Sequence, residues 1–124
     1  MVIGLGVDVF NVARMEAELR AHGTDFARRL FTSREMSDCG REREPARHYA
    51  ARFAAKEAVL KALSVGDDVA ARWRDIEVRC DPGGRQVVLR GRVRRLAERR
   101  GVARIHVSLS HTSAVATASV ILES

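Results

Sequence analysis

The stretch that decides the fold of this 124-residue chain is PARHYAARFAAKEAVLKAL, residues 45–63. Proline suits the first turn of a helix, and small side chains let a helix approach its neighbours closely. Alanine occurs here at positions 46, 50, 51, 54, 55, 58 and 62. We therefore predict a long central helix over about 45–63. The larger side chains near one face, at helical spacing, are Tyr49, Phe53, Glu57, Leu60 and Lys61.

Capping and stop residues indicate further helices before this one. Asn11 is a suitable N-cap for a helix over about 12–22, and Gly23 is a suitable stop. Thr32 and Glu35 have the spacing of a capping box, which predicts another helix start.

Apolar and β-branched runs, one of them alternating with polar residues, predict five strands, and a basic stretch with apolar residues on one side predicts one more helix. The strands span about 2–9, 75–79, 86–90, 104–110 and 114–122, and the helix spans about 92–100. In the second strand Ile76 and Val78 are expected to face the core and Glu77 to face solvent. We predict a single α+β domain over residues 1–124, in which a small, mostly antiparallel sheet packs against one long central helix.

The chain is basic, with a formal net charge of +6 and a sequence pI of about 10.6. This charge favours anionic partners, and nucleic acid, a phosphorylated small molecule and an acidic protein all satisfy it. No apolar run approaches the ~20 residues of a membrane span. The first residues lack the features of a signal peptide, so we expect a cytoplasmic protein. Cys39 and Cys80 lack the spacing of a disulfide framework or a zinc site.

Arginine accounts for 20 of the 22 basic residues, and the two lysines are Lys56 and Lys61. Lysine can lose a proton near neutral pH when its surroundings lower its pKa, whereas arginine cannot. Both lysines fall in the central helix. This usage favours a role in which a lysine does something that arginine cannot do.

Two carboxylates interrupt apolar surroundings in segments that are far apart in sequence, Asp8 in the first strand and Glu57 in the central helix. Magnesium takes one or two carboxylates, and substrate phosphates and waters complete its coordination. The pair is therefore a candidate magnesium site for phosphate chemistry. Each residue also has a simpler interpretation, because Asp8 can cap the following helix and Glu57 can pair with Lys61 four residues later.

Histidine provides one further candidate. His111 lies between hydroxyl residues at the end of a predicted strand, where it suits a phosphate contact, a proton shuttle or a hydrogen bond at the surface. The other histidines are interpreted as structural; they are His22, His48 and His106.

Five motifs follow one another in order along the chain. They are GLGVDV at 4–9, RFAAKEA at 52–58, KAL at 61–63, DIEV at 75–78 and SLSH at 108–111. With these motifs the chain resembles holo-acyl-carrier-protein synthase, the small trimeric branch of the phosphopantetheinyl transferases. The resemblance extends over nearly the full chain. RFAAKEA followed by KAL is its specific element, and GLGVDV alone would be weak.

The resemblance implies an enzyme that transfers the 4′-phosphopantetheine group of coenzyme A to a serine of an apo-acyl carrier protein. The other product is adenosine 3′,5′-bisphosphate, and the carrier serves fatty-acid or polyketide biosynthesis. The resemblance also implies a pseudo-barrel-like α+β subunit, a homotrimer, and active sites in clefts between subunits.

The resemblance assigns catalytic roles to three residues. Asp8 and Glu57 would ligate Mg²⁺ together with the pyrophosphate of coenzyme A. Glu57 would also take the proton of the acceptor serine through a water. Lys61 would contact coenzyme A and stabilise or protonate the departing adenosine 3′,5′-bisphosphate.

Binding roles follow from the same resemblance. Arg52 and His111 would contact the phosphates of coenzyme A. Arg14 resembles the arginine that meets an acidic helix of the carrier protein, and this role suits the charge of +6.

The chain departs from the family pattern at Glu44, Ser64, Asp67, Asp68 and Gln86. Ser64 replaces the first glycine of a KALGTG motif, and Gln86 replaces a proline after the strand turn. These departures bear on the contacts to the adenosine and the 3′-phosphate of coenzyme A. They leave the expected magnesium and transfer residues intact.

Two other functions are compatible with a basic chain of this size. A basic nucleic-acid-binding module would use the arginines of residues 85–104, but aromatic residues make up only 5% of the chain and no nucleic-acid-binding signature occurs. A non-catalytic trimer that retains the fold is the other rival. The presence together of Asp8, Glu57, Lys61 and His111 argues against it.

Overall fold

The computed structural model describes residues 1–65 and 73–124, and five strands and four α-helices lie within them. In chain order they are β1 (Val2–Asn11), α1 (Val12–Leu30), α2 (Ser33–Gly40), α3 (Pro45–Ala62), β2 (Ile76–Asp81), β3 (Gly84–Leu89), α4 (Gly91–Arg99), β4 (Arg104–His111) and β5 (Val115–Glu123). A short 3₁₀ helix, Trp73–Asp75, precedes β2. The predicted α+β class is confirmed. None of the helices in these two ranges is both long and apolar enough to cross a membrane.

The strands form two antiparallel sheets, where the sequence predicted one. The larger sheet has the order β1-β5-β4, and its register places Asp8 opposite Ala118 and His111 opposite Ala116. The smaller sheet pairs β2 with β3. The division arises because β4 pairs with β5, so that the hairpin of β2 and β3 stays separate. The inner face of the larger sheet joins α3 in an aliphatic core that includes Ala54, Ala58, Val59, Ala118, Val120 and Leu122.

β1 lies unusually close to α3 because both surfaces are made of small residues. A Cβ atom on Gly4 would collide with the carbonyl oxygen of Ala62, and one on Gly6 would collide with that of Ala58. The alanines of α3 thus allow the close approach that the sequence predicted. The bounds of α3, Pro45–Ala62, agree with the predicted 45–63, and proline occupies the first turn.

α1 is a second long helical element, so the expectation of one long helix is incomplete. Asn11 caps α1 as predicted, because its Oδ1 accepts a hydrogen bond from Arg14 N at 2.9 Å. The helix breaks at Gly23, where φ is 56°, but it resumes at once and ends at Leu30. Gly23 therefore kinks the helix and does not end it.

The predicted capping box is present at the start of α2. Glu35 N donates to Thr32 Oγ1 at 3.2 Å, and Thr32 N donates to Glu35 Oε1 at 2.9 Å. The Glu35 carboxylate is fully buried and also accepts a hydrogen bond from Val78 N at 2.9 Å. It therefore connects α2 to β2.

Lys56 completes this buried group and has a structural role. Its Nζ lies 2.7 Å from Glu35 Oε1, and it also donates to the carbonyl oxygens of Trp73, at 2.9 Å, and of Ile76. Burial lowers the pKa of Lys56, and the adjacent Glu35 carboxylate counteracts this shift. Three acceptors around a fully buried ammonium group explain this lysine without any proton transfer.

Glu77 corrects a second expectation, because it is buried and not exposed to solvent. Its Oε1 accepts hydrogen bonds from Arg79 Nε at 2.7 Å and from Arg90 at 3.3 Å. Burial alone would raise the pKa of Glu77, but hydrogen bonds from Thr32, Arg79 and Arg90 outweigh it and lower the pKa to about 2. Alternation alone predicted the wrong face because it ignores charge pairing.

Candidate active site

Asp8 and Lys61 form an ion pair between β1 and α3. Lys61 Nζ lies 2.7 Å from Asp8 Oδ1 and donates a second hydrogen bond to the Val7 carbonyl oxygen at 3.1 Å. Glu57 lies one helical turn before Lys61, and its negative charge contributes to the raised pKa of that lysine. The fold therefore brings Asp8, Glu57 and Lys61 to one place from segments about 50 residues apart.

Asp8 does not cap α1, because Asn11 does so. The side chain of Asp8 is 16% exposed and that of Lys61 is 55% exposed, so both remain within reach of a ligand. The hydrogen bond from Lys61 to Asp8 raises the pKa of Lys61, with a smaller contribution from the charges of Asp8 and Glu57. The scarcity of lysine in the sequence suggested a lysine with a lowered pKa. The pKa of Lys61 is raised instead, so its side chain stays protonated and positively charged.

The carboxylates of this group suit a magnesium ion whose remaining coordination positions are filled by substrate and water. Asp8 and Glu57 supply two carboxylates, and magnesium commonly binds through one or two carboxylates together with phosphate oxygens and waters. Across residues 1–65 and 73–124 there is no cluster of three or more histidine, cysteine or acidic side chains placed to hold a metal by themselves. A site here would therefore depend on the phosphates of its substrate.

Arg52 and His111 line a separate cavity of about 260 Å³. Arg52 is 4% exposed, and its Nη1 donates a hydrogen bond to the His48 carbonyl oxygen at 3.4 Å. Its buried Nε has no hydrogen-bond partner among the described residues. A buried guanidinium with an unused donor suits an anionic ligand, because leaving such a donor unpaired costs about 1–3 kcal/mol. The remaining lining residues are Asp38, Arg41, Glu42, His48, Ala51, Cys80, Arg85 and Leu109.

His48, which the sequence analysis interpreted as structural, lies in the same cavity as Arg52 and His111. Its ring packs edge-on against His111 with the centroids 5.2 Å apart, in the cavity that also contains Arg52. Burial lowers the pKa of His48, and the nearby charges of His111 and Arg52 lower it further against the effect of Glu42. The four-residue spacing of His48 and Arg52 in α3 was the available signal, since it places both on one helix face.

The two groups of predicted residues do not meet within one chain. Glu57 is five positions after Arg52, which corresponds to about 140° of rotation around an α-helix and about 7.5 Å along it. None of the cavity-lining residues around Arg52 and His111 belongs to the group of Asp8, Glu57 and Lys61.

Arg14 lies in the first turn of α1, at the edge of another cavity. Its guanidinium group is 5.3 Å from the centroid of the Phe10 ring, and Phe10 packs edge-on against Phe53 at 4.9 Å. A largely apolar cavity of about 240 Å³ opens here, lined by Phe10, Arg14, Met15, Glu18, Phe26, Leu30 and Phe53. Arg14 therefore places a positive charge at the edge of an apolar recess.

The outer face of β1 is apolar and exposed. Because side chains alternate along a strand, its odd-numbered residues point away from α3. The exposed fractions of these residues are 40% for Ile3, 64% for Leu5, 53% for Val7 and 57% for Val9. Ile121 on β5, which pairs with Leu5, is 38% exposed and extends the same surface. A contiguous apolar strip of this kind is typical of a protein–protein interface.

Similarity to known proteins identifies the family of this chain. Residues 4–118 match the 4′-phosphopantetheinyl transferase superfamily, as the family designated ACPS. The chain belongs to this superfamily. It is 44% identical to the holo-[acyl-carrier-protein] synthase of Syntrophus aciditrophicus, over 99% of this chain and 97% of the relative.

Solved structures of family members have the same fold. The holo-[acyl-carrier-protein] synthase of Neisseria meningitidis superimposes with a TM-score of 0.88 at 29% identity and covers all of both chains. The enzyme of Bacillus anthracis, solved in complex with CoA (3′,5′-ADP), has a TM-score of 0.80 at 31% identity, over 100% of this chain and 98% of that one.

The departures from the family pattern occupy identifiable positions in this superfamily member. Ser64 has a φ of 56°, a conformation that favours glycine, which is the residue of the KALGTG pattern. Glu44 precedes α3 and pairs with Arg47 at 3.0 Å. Gln86 is exposed on β3, opposite Arg79. Asp67 and Asp68 lie outside the described residues.

Proposed function

We propose that this chain transfers the 4′-phosphopantetheine group of coenzyme A to a serine of an apo-acyl carrier protein and releases adenosine 3′,5′-bisphosphate. The observation that carries the proposal is the 2.7 Å contact of Lys61 with Asp8 beside Glu57. It places a cation next to the Asp8 carboxylate, close enough to Glu57 for that charge to act on Lys61, and the two carboxylates suit magnesium, as phosphoryl-group chemistry requires. The names of the relatives and the coenzyme complex of the Bacillus anthracis enzyme support the same substrate.

Asp8 and Glu57 are the proposed magnesium ligands. When bound, the ion would neutralise the charge of the coenzyme A pyrophosphate. Glu57 also accepts the proton of the acceptor serine through a water. Lys61 stabilises the departing adenosine 3′,5′-bisphosphate, and its raised pKa supports a permanent positive charge for this purpose.

Arg52 and His111 are the proposed contacts for the phosphates of coenzyme A. The unpaired Nε of Arg52 supports this role, because an anion would satisfy a donor that is otherwise buried and unused. His48 lies against His111 and joins the proposed site. The lowered pKa of His48 supports a neutral ring that donates or accepts a hydrogen bond.

The proposed assembly is a homotrimer with active sites between subunits. Two observations support it. The exposed apolar face of β1 is suited to burial against another subunit. Arg52 and Glu57 also point to different sides of α3, so a coenzyme that contacts both groups is accommodated more readily between chains than on one.

The proposed protein partner is an acidic acyl carrier protein that contacts Arg14. The apolar cavity beside Arg14 and the net charge of +6 support a partner that presents acidic and apolar side chains together. We further propose that residues 1–124 form a single transferase domain. It would act in the cytoplasm, in fatty-acid or polyketide biosynthesis.

Intact mass spectrometry tests this function. Apo-carrier protein incubated with the chain, coenzyme A and magnesium should gain the mass of one phosphopantetheine group. Asp8→Asn and Glu57→Gln should each slow the reaction at least ~100-fold, since each removes a cation ligand. Glu98→Gln, which changes an exposed carboxylate on α4, is the matched control and should react normally. An unmodified carrier, or full activity in excess chelator, would contradict the proposal.

A further inference from the structure

His48 and His111 form a pair of imidazole rings in the cavity of about 260 Å³ that Arg52 also lines. His48 lies near the start of α3 and His111 is the last residue of β4. The two ring planes are inclined by 68°, so the edge of one ring meets the face of the other. Aromatic rings favour this arrangement, and it restricts the rotation of both. His48 therefore holds the ring of His111 in one orientation.

Glu42 provides His48 with a carboxylate at ion-pair distance. His48 Nε2 lies 3.6 Å from Glu42 Oε2, which is too long for a hydrogen bond but short enough for an ion pair when the ring is protonated. The Glu42 side chain is 51% exposed, so water solvates it while His48 is neutral. The structure therefore contains a counter-ion for a protonated His48.

The other ionisable groups of this cavity leave positive charge available for an anion. They are Asp38, Arg41, Arg52, Cys80 and Arg85, from α2, α3, β2, β3 and the loop after α2. Asp38 pairs with Arg41 at 2.6 Å. Arg52 and Arg85 form no ion pair within residues 1–65 and 73–124. Outside the lining, Arg47 also acts on His48 and pairs with Glu44 at 3.0 Å.

An anion in the cavity would change the protonation of His48. Burial lowers the pKa of His48, Glu42 opposes this shift, and His111, Arg52 and Arg47 add to it. Without an anion the ring is therefore neutral at pH 7. The negative charge of a phosphate offsets that of the arginines and favours the protonated imidazole. Proton uptake and anion binding then strengthen each other, because the coupling between two ligands is reciprocal.

We propose that His48 is a proton-linked positioning residue, which orients His111 and takes up a proton from solvent, with Glu42 as its counter-ion, when a phosphate group binds in the cavity. The inference rests on the proposed function, in which the phosphates of coenzyme A bind here. The complex holds one proton more than the free protein and free ligand together. The affinity for a phosphate-bearing ligand should therefore increase as the pH falls from about 8 to about 6.

Calorimetric titration with adenosine 3′,5′-bisphosphate at pH 6 and pH 8, without magnesium, tests this linkage. The ligand titrates in this range too, but its contribution is common to all variants. His48→Phe keeps an aromatic ring beside His111 and cannot take up a proton. The ratio of the affinity at pH 6 to that at pH 8 should be at least ~5-fold greater in wild type than in His48→Phe. Glu42→Gln removes the counter-ion and leaves His48 in place, and it should lower the ratio at least ~2-fold.

The matched control is His22→Phe. His22 is an exposed histidine of α1, it lies 3.8 Å from the Glu18 carboxylate, and it does not line the cavity. Its ratio should equal that of wild type. NMR of the histidine rings gives a second readout. The signal that is missing in His48→Phe should titrate at a higher pH with the bisphosphate bound than without it, and the other three histidine signals show that the variant is folded.

The outcomes separate this proposal from the proposed function. If wild type and His48→Phe bind the bisphosphate with the same pH ratio, the proton linkage is wrong and the phosphate site stands. Weaker binding of His48→Phe by one factor at both pH values would reduce His48 to a packing role and also overturn the proposal. A His48 signal that titrates at the same pH with and without ligand would overturn it as well. A wild type that does not bind the bisphosphate would overturn both proposals.

Discussion

Gly6 of β1 lies directly against the carbonyl oxygen of Ala58 on α3, with no room for a side chain between them. Gly6 is two residues before Asp8, and Ala58 directly follows Glu57. The contact therefore sets the distance between the strand and the helix that carry the two proposed magnesium ligands. A change at either residue moves Asp8 relative to Glu57 and Lys61.

Gly6→Ala should destabilise the protein and reduce its activity. A methyl group at this position must push β1 away from α3, and overpacking of this kind typically costs about 1–3 kcal/mol. Urea denaturation measures the loss of stability. Gly40→Ala is the control, since nothing lies within 4 Å of its added Cβ and it should be neutral or slightly stabilising. Equal effects of the two substitutions would contradict the tight contact.

Ser64→Gly should stabilise the protein by about 1 kcal/mol. Ser64 has a φ of 56°, and glycine adopts this conformation without the steric cost that a Cβ atom incurs. Thermal and urea unfolding test the change. Ser37→Gly, at an exposed position within α2, should instead lose about 0.5 kcal/mol because glycine is a poor helix former. A loss of stability in both variants would contradict the positive φ of Ser64.

Lys61→Ala should lower kcat by at least ~100-fold, because it removes the cation beside the leaving phosphate. Lys61→Arg keeps the positive charge, so we expect it to retain turnover within ~10-fold of wild type. Coenzyme A binding is measured for both variants, since the larger guanidinium group changes the fit. If Lys61→Arg binds coenzyme A normally and is as slow as Lys61→Ala, proton donation by lysine is the better explanation.

Leu5→Arg should dissociate the proposed trimer at micromolar concentration. Leu5 is the most exposed residue of the apolar strip in the middle of β1, and a charge there opposes burial against another subunit. Light scattering coupled to size-exclusion chromatography measures the mass. Ala21→Arg adds the same charge at an exposed position of α1 and should leave assembly unchanged. An active wild-type monomer at the assay concentration would contradict shared sites.

Glu77 should make stability depend on pH in acid. Its pKa is lowered from 4.5 to about 2, so the folded state gains from the ionised carboxylate above pH 4.5 and loses this gain as the pH falls towards 2. Glu77→Gln should therefore reduce the free energy of unfolding by about 2 kcal/mol at pH 7 and by far less near pH 2. Urea unfolding at a fixed protein concentration tests this. If wild type and Glu77→Gln differed in the free energy of unfolding by the same amount at both pH values, packing and not the charge of Glu77 would explain the difference.

The sequence by itself determined several features of the local structure. The bounds of α3, the cap at Asn11 and the capping box of Thr32 and Glu35 all follow from residues close together in the chain. Such features depend on helical spacing and on nearby side-chain acceptors, which a pattern records directly. The motifs around Asp8, Glu57 and Lys61 likewise indicated the family, because they are specific as sequences.

Only the tertiary structure decided how the similar residues of α3 divide their roles. Lys56 and Lys61 are five residues apart in one helix. Lys56 is buried against Glu35, whereas Lys61 is exposed to solvent and pairs with Asp8. Similarly, His48 meets His111 only because β4 lies next to α3. Burial and charge pairing act between segments distant in sequence, and a local pattern contains no information about which of them will meet.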